Sequence, residues 1–289
     1  MPLTPRDVAE MVSDLVSLPE ACDSLNRLVE DPSSTTESLA RAIMLDPALS
    51  TRVLRLVNSP MFGLSRRIDN IHRAITILGR SQIRDLALSA VAVQTFSGIP
   101  EELVDIRSFW QHSVYTAIVT RLMAGRAGVE DVDRLFLAGL MHDVGKLAMY
   151  GVIPELVEVI MTRYKVWVGP LYQAELSILG FHHGEVGAEL MRLWRLPEAI
   201  ASLIEWHHDP APGHRYARDT ALLHLANNLT HTAGLSGTRL EAHPEVCHQA
   251  WDIAGLSSRL SESISIRANA EFEHVAACLI SDSRPLSAA

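Results

Sequence analysis

Apolar side chains recur at three- and four-residue intervals along most of the chain, and no stretch alternates apolar with polar in the manner of a half-buried strand. The spacing predicts helices over 8–16, 39–45, 49–57, 71–78 and 83–96, with stops at Pro32, Asp46-Pro47, 60–63, Gly79 and 98–100. Beyond Pro100 it resumes over 109–124, 132–149, 154–164, 171–179, 186–193, 198–207 and 220–232. Three more helices are expected over 244–254, 257–266 and 269–280, before a polar tail. The pattern reads as an all-α protein, a two-lobed helical bundle with an N-terminal lobe over 1–98, a second lobe over 99–233 and a C-terminal helical extension over 234–289. No internal repeat or low-complexity tract interrupts it.

Composition narrows the class. At 289 residues and 48% hydrophobic content the chain can bury a large core. No run approaches the roughly 20 apolar residues that cross a bilayer. The opening MPLTPRDVAEMVSDL lacks a charged leader ahead of an apolar signal core, so a cytoplasmic protein with no membrane attachment is expected. Cys22, Cys247 and Cys278 are odd in number and show no CxxC spacing, which suits reduced thiols rather than disulfides or a thiolate zinc site. A net charge of −9 argues against general nucleic-acid binding, which needs cationic side chains on phosphates. Yet residues 50–86 carry Arg52, Arg55, Arg66, Arg67, Arg73, Arg80 and Arg84 against Asp69 and Asp85, a local +5 that leaves −14 elsewhere. Solvated helix faces account for such a run, and so does a surface for an anion or an acidic partner.

The second lobe holds nine of the thirteen histidines. Within it, the apolar stretch FLAGLMHDVGK ends in an adjacent histidine and aspartate followed by a lysine, groups that are costly to bury unpaired. His112, the pair His142-Asp143, His183, the pair His207-His208 and Asn227 fall on successive predicted helix segments, and the histidine stations are 30, 41 and 24 residues apart. Helices in a bundle can aim such groups at one central point. Imidazole nitrogen and carboxylate oxygen suit zinc, iron, manganese or nickel, and one bridging carboxylate, here Asp143, can serve two ions. Singly, each station has a plainer reading. His112 can be an ordinary core or surface histidine, His182-His183 part of a turn, and His207-His208 polar residues at a helix end where imidazolium is favoured. Neighbours on a helix also point about 100° apart, so a doublet need not serve one site.

The order His, His-Asp followed by Gly-Lys, His, and His-His resembles the HD superfamily of metal-dependent phosphohydrolases. More closely, DPALSTRVLRLVNSPMFGLSRRIDNIHRAITILG, FLAGLMHDVGK and LGFHHGEVGAELMRLWRLPEAIASLIEWHHDP resemble the bacterial HDOD domain, over roughly residues 18–230. That resemblance implies an HD-superfamily-like helical signalling output module, in a family whose members are often degenerate relatives of HD enzymes with no established reaction. By resemblance to active two-metal members, one ion would be held by His112, His142, Asp143 and the position of Asn227. The other would take His183, His207 and His208, with Asp143 bridging. One or two divalent transition-metal ions, iron, zinc, manganese or nickel, are therefore the implied cofactors. Asn227 departs from the aspartate of active relatives, since an amide oxygen can ligate a hard metal but brings no charge. His224, three residues earlier on the same helix face, is a candidate to compensate.

Lys146 matches the lysine of the HDxGK signature, where resemblance implies contact with a substrate phosphate, and Asp143 and Lys146 are the candidate catalytic residues. In a chain with two lysines and 23 arginines, a compact, strongly hydrated charge stands beside the acid pair. The Gly-Tyr-Pro motif that related cyclic-dinucleotide phosphodiesterases carry after their histidine doublet is absent from HHDPAPGHRYARD. The leading expectation is thus a signal-transduction output module with a largely retained HD-type metal site, acting on a signalling protein partner and accommodating a phosphate-containing ligand. The alternative is an active metal-dependent phosphohydrolase or phosphodiesterase on a nucleotide or other phosphoester. The weaker alternative is a nucleic-acid-binding regulator using the arginine-rich lobe.

Overall fold

The computed structural model describes residues 3–15, 20–96, 104–235 and 246–280, and every regular element among the described residues is helical. In chain order the helices are α1 (Pro5–Leu15), α2 (Glu20–Glu30), α3 (Thr36–Met44), α4 (Pro47–Val57), α5 (Ile71–Leu78), α6 (Arg80–Thr95), α7 (Ile106–Arg126) and α8 (Val132–Met141). They continue as α9 (Val144–Val152), α10 (Pro154–Tyr164), α11 (Leu171–Leu179), α12 (His183–Leu193), α13 (Glu198–Glu205), α14 (Ala217–Thr232), α15 (Ala250–Ala254) and α16 (Ser261–Leu279). None is long and apolar enough to cross a membrane.

The chain divides into two compact units, one of residues 1–16 and 99–268, the other of 17–98 and 269–289. Helix α1 belongs with the unit that holds residues 99–268, and the later part of α16 with the unit that holds 17–98. Helix α1 packs on α9 and α12. In place of separate helices over 257–266 and 269–280 there is one continuous α16. Helix α2 is not among the expected helices, although EACDSLNRLVE carries apolar residues at helical spacing, Ala21, Leu25, Leu28 and Val29, of which Leu25 is fully buried. The predicted start at residue 244 and the stop at 98–100 lie outside the described residues, as does the side chain of Cys22.

In the unit of 17–98 and 269–289, Asp46-Pro47 both ends one helix and begins the next. Asp46 accepts hydrogen bonds from the backbone N–H groups of Ala48 and Leu49, and Pro47 takes the first helical position, where a missing N–H costs nothing.

In the other unit α7 is the central rod. Fourteen of its 21 residues are buried, the all-round burial of a helix enclosed by others, and it packs against α8 and α14. Helix α12 packs on α9 and α13. Two glycines permit the closest approaches. A Cβ at Gly139 would sit 2.7 Å from the Ala117 Cα, so only glycine lets α8 press onto α7. A Cβ at Gly145 would overlap the His183 carbonyl and lie 2.8 Å from the Gly187 nitrogen, so only glycine lets α9 meet the start of α12. These contacts draw the His142-Asp143 region toward both His112 and His183.

Candidate metal centre

The spacing predicted one helix over 132–149, but the chain breaks at the His142-Asp143 pair, between α8 and α9. The residues immediately on either side, FLAGLM and VG, are apolar, so periodicity carries no trace of the break. Its consequence is chemical. His142 keeps helical dihedrals, φ −56° and ψ −33°, and Asp143 leaves them at φ −100° and ψ 2°, which brings the two side chains together, with His142 Nε2 3.3 Å from Asp143 Oδ2. His207 and His208 likewise lie in the turn beyond α13 rather than within it.

The structure brings the histidine stations and Asp143 together in two sets. His112, His142 and Asp143 form one and His183, His207 and His208 the other, each with candidate ligand atoms within 4.8 Å of one another. Asp143 faces both. Its Oδ2 is 3.6 Å from His112 Nε2, and its Oδ1 lies 3.3 Å from His183 Nε2 and 3.8 Å from His207 Nε2. His112 and His142 approach through their Nε2 atoms at 3.3 Å, His183 and His208 through theirs at 2.8 Å.

The opposite ring nitrogens are anchored elsewhere. His112 Nδ1 bonds the Leu235 carbonyl at 2.7 Å, His142 Nδ1 the Gly139 carbonyl at 2.8 Å, and His207 Nδ1 the Ile204 carbonyl at 2.6 Å. Each of these rings therefore donates through Nδ1–H and leaves Nε2 as a lone pair facing the centre, the tautomer that suits a metal ligand.

Three buried electron-pair donors, Asp143 Oδ1, His207 Nε2 and Asn227 Oδ1, have no hydrogen-bond partner. Two of these acceptors, Asp143 Oδ1 and His207 Nε2, lie 3.8 Å apart, and orphaned acceptors this close call for a cation. Asn227 lies on α14 between His224, which bonds the His207 backbone, and His231, whose ring is 4.9 Å from that of His112. The face of α14 carrying Asn227 thus runs along the centre. The donor set fits one or two transition ions, nitrogen-rich with a single shared carboxylate.

Lys146 lies inside this cluster, 4% exposed, and donates from Nζ to Asp143 Oδ2 at 2.9 Å. Burial alone would push the Asp143 carboxyl up, but the imidazoles facing it and the Lys146 ammonium hold it well below the usual carboxylate range. Burial lowers His112 to about 3 and, with the neighbouring imidazoles, takes His207 and His208 well down, so all three are neutral and competent as ligands. For His183 burial also pulls downward, but the facing Glu175 carboxylate outweighs it and raises the ring to about 9.

His224 is no ligand. Its Nδ1–H donates to the His207 carbonyl at 2.9 Å and its Nε2 accepts the Cys247 backbone N–H at 3.0 Å, so neither nitrogen has a lone pair for a metal. It supports the His207 backbone instead. Other contributors were missed. Glu175 accepts from both the backbone N–H and the Nδ1–H of His183, at 2.9 and 2.7 Å, and its only sequence signal is an acid within the apolar LYQAELSIL. Tyr172 stacks on His208, with ring centroids 4.3 Å apart and 11° between planes. His182 caps α12 by accepting the Gly184 N–H while Glu185 accepts the His182 N–H, a capping box written in the sequence as His-His-Gly-Glu.

A family model described as HDOD domain matches residues 15–210. The chain is 25% identical over 203 residues to an uncharacterized protein of Treponema pallidum (strain Nichols), covering 70% of this chain and 39% of that protein. It is 27% identical over 187 residues to the 3'3'-cGAMP-specific phosphodiesterase 3 of Vibrio cholerae serotype O1, covering 63% of this chain and 38% of that one. The chain thus spans less than two fifths of the length of these curated relatives. Among solved structures it is similar to an HDOD domain protein with unknown function from Geobacter sulfurreducens, with a TM-score of 0.73, 23% identity, and 97% of this chain and 98% of that one covered. That likeness shows the fold.

Proposed function

Because this chain belongs to the HDOD domain family, we propose that it is a signalling module built around an enclosed two-ion centre, passing a state to a protein partner through its helical surfaces. The observation that carries this reading is the burial of all but one of the histidine donors and of Asp143, His208 being half-buried. His112, His142 and His207 are fully buried, and Asp143 and His183 are 1% exposed. Ions enclosed by protein ligands suit a structural or sensory role, whereas catalytic metals keep a position open to substrate. His112, His142, Asp143 and Asn227 would hold one ion, and His183, His207 and His208 the other, with Asp143 shared.

Phosphoester hydrolysis is the second reading, favoured by Lys146. Its ammonium, 2.9 Å from Asp143 Oδ2, offsets the shared carboxylate and supplies a point charge for phosphate oxygens. When bound, the ions would supply Lewis-acid polarisation of a phosphoryl group and activation of water. Similarity to the Vibrio cholerae phosphodiesterase supports this chemistry, but the missing Gly-Tyr-Pro motif argues for another phosphoester than a cyclic dinucleotide.

One experiment separates the two. Metal-loaded wild-type protein and Asp143→Ala are compared for stoichiometric capture of a partner from the native cell and for hydrolysis of bis(p-nitrophenyl) phosphate. The signalling reading expects metal-dependent capture without turnover. Metal-dependent turnover that disappears in Lys146→Ala would put the enzyme first.

A further inference from the structure

The seven arginines of residues 50–86 are used by the fold in two ways. Arg52 and Arg84 are buried, with Arg84 Nε donating to Asp85 Oδ1 at 2.8 Å, and Arg80 donates to the backbone carbonyls of Leu28 and Ser34. These cations are absorbed into the structure. Arg55, Arg66, Arg67 and Arg73 are exposed, and none of them is ion-paired among the described residues.

Arg55, Arg66 and Arg67 line one cavity of about 910 Å³ inside the unit of 17–98 and 269–289. Its wall is preorganised by Asn58 at the end of α4. The Asn58 Nδ2 donates to the carbonyls of Leu54 and Ile68, and its Oδ1 accepts the Ile68 N–H, all at 2.7 Å. The connector bearing Arg66 and Arg67 is thereby tied back to the helix that bears Arg55. Leu54, Leu64 and Ile68 add apolar surface, and His274 of α16 adds an imidazole. The Ser59 hydroxyl, in the same wall, is buried and has no hydrogen-bond partner. Asp69 at the cavity subtracts one charge from the three arginines, leaving the lining cationic.

We propose that this cavity binds a small phosphorylated ligand of nucleotide size, its phosphate oxygens on Arg55, Arg66 and Arg67 and its less polar body against Leu54, Leu64 and Ile68. Guanidinium forks match phosphate oxygens in two-point contacts, and the volume falls in the range of small-molecule sites. A concave, partly apolar lining favours such a ligand over an acidic protein face, which needs breadth rather than depth. The site shares no residue with the metal centre, so the inference stands independently of the proposed function.

The test is calorimetric titration of the full chain with inorganic pyrophosphate. Saturable one-to-one binding is expected, weakened at least about tenfold, or about 1.4 kcal/mol, by the double reversal R66E/R67E. The control R41E/R73E makes the same change in charge at exposed positions of α3 and α5 outside the cavity, and should leave affinity within about twofold of wild type. Circular dichroism checks that both variants fold. Binding should also survive in Asp143→Ala, and its loss there would place the anion at the metal centre and overturn the proposal. Absence of saturable binding in the millimolar range, or equal weakening by both double reversals, would overturn it as well. So would hexaglutamate binding as tightly as pyrophosphate, an outcome that marks an acidic-protein surface instead.

Discussion

Glu175→Gln is the substitution that most sharply tests how the centre is supported. The carboxylate is 3% exposed, and its Oε2 accepts both N–H groups of His183, at 2.9 and 2.7 Å. It thereby fixes the Nδ1–H tautomer and aims Nε2 at the shared carboxylate, 3.3 Å from Asp143 Oδ1. Glutamine keeps the shape and one acceptor but removes the charge that makes His183 basic. Partners of this kind are worth about 10- to 100-fold in metal affinity, which is roughly 1.4 to 2.7 kcal/mol. The ion at His183, His207 and His208 should weaken by that factor, and the ion at His112 and His142 by less. Glu175→Ala should sit at the upper end, and two unpaired buried donors should cost about 1–3 kcal/mol of stability each. Zinc competition against a chromophoric chelator reads the affinity, and thermal unfolding reads the stability. Affinities for both ions within about twofold of wild type would refute the claim that Glu175 orients a ligand.

Two further outcomes follow from the same geometry. In metal-free protein His183, raised from 6.5 to about 9 by Glu175 in spite of burial, contributes stability in full below pH 6.5 and loses it as pH rises toward 9. His112, lowered by burial from 6.5 to about 3, and the similarly lowered His207 and His208 act in the opposite sense, because below 6.5 the unfolded chain takes up protons that the fold refuses. Urea midpoints of the metal-free protein should therefore peak near pH 6.5 and fall on both sides, and a monotonic profile would contradict these environments. Asn227→Asp places a charge on the orphaned Oδ1 and should raise occupancy of the ion at His112 and His142 while destabilising the metal-free protein, since that charge is then buried unpaired. Unchanged metal content in this variant would remove Asn227 from the centre.

What could be read in the sequence, and what could not, follows physical lines. The three-and-four spacing announces α4, α7 and α14 because each buries a stripe or a whole circumference, and α2 was legible by the same spacing at Ala21, Leu25, Leu28 and Val29. The break between α8 and α9 was invisible because both flanks are apolar, yet it lets His142 and Asp143 share one target. Ligand candidates could be found by residue type, since imidazole and carboxylate are scarce in apolar helices. Their supports could not, because most are backbone carbonyls, those of Gly139, Ile204 and Leu235, which carry no side-chain identity. The same blindness made His224 look like a spare ligand. Its partners are the His207 carbonyl and the Cys247 N–H, and only the fold brings these to it.

The central claim is that Asp143 is shared between two metal sets, and elemental analysis of freshly purified wild-type protein beside Asp143→Ala tests it most directly. One or two transition-metal ions per chain are expected in the wild type and none in the variant, with the helical content of the fold retained. Equal metal in the two proteins, or none in either, would contradict it.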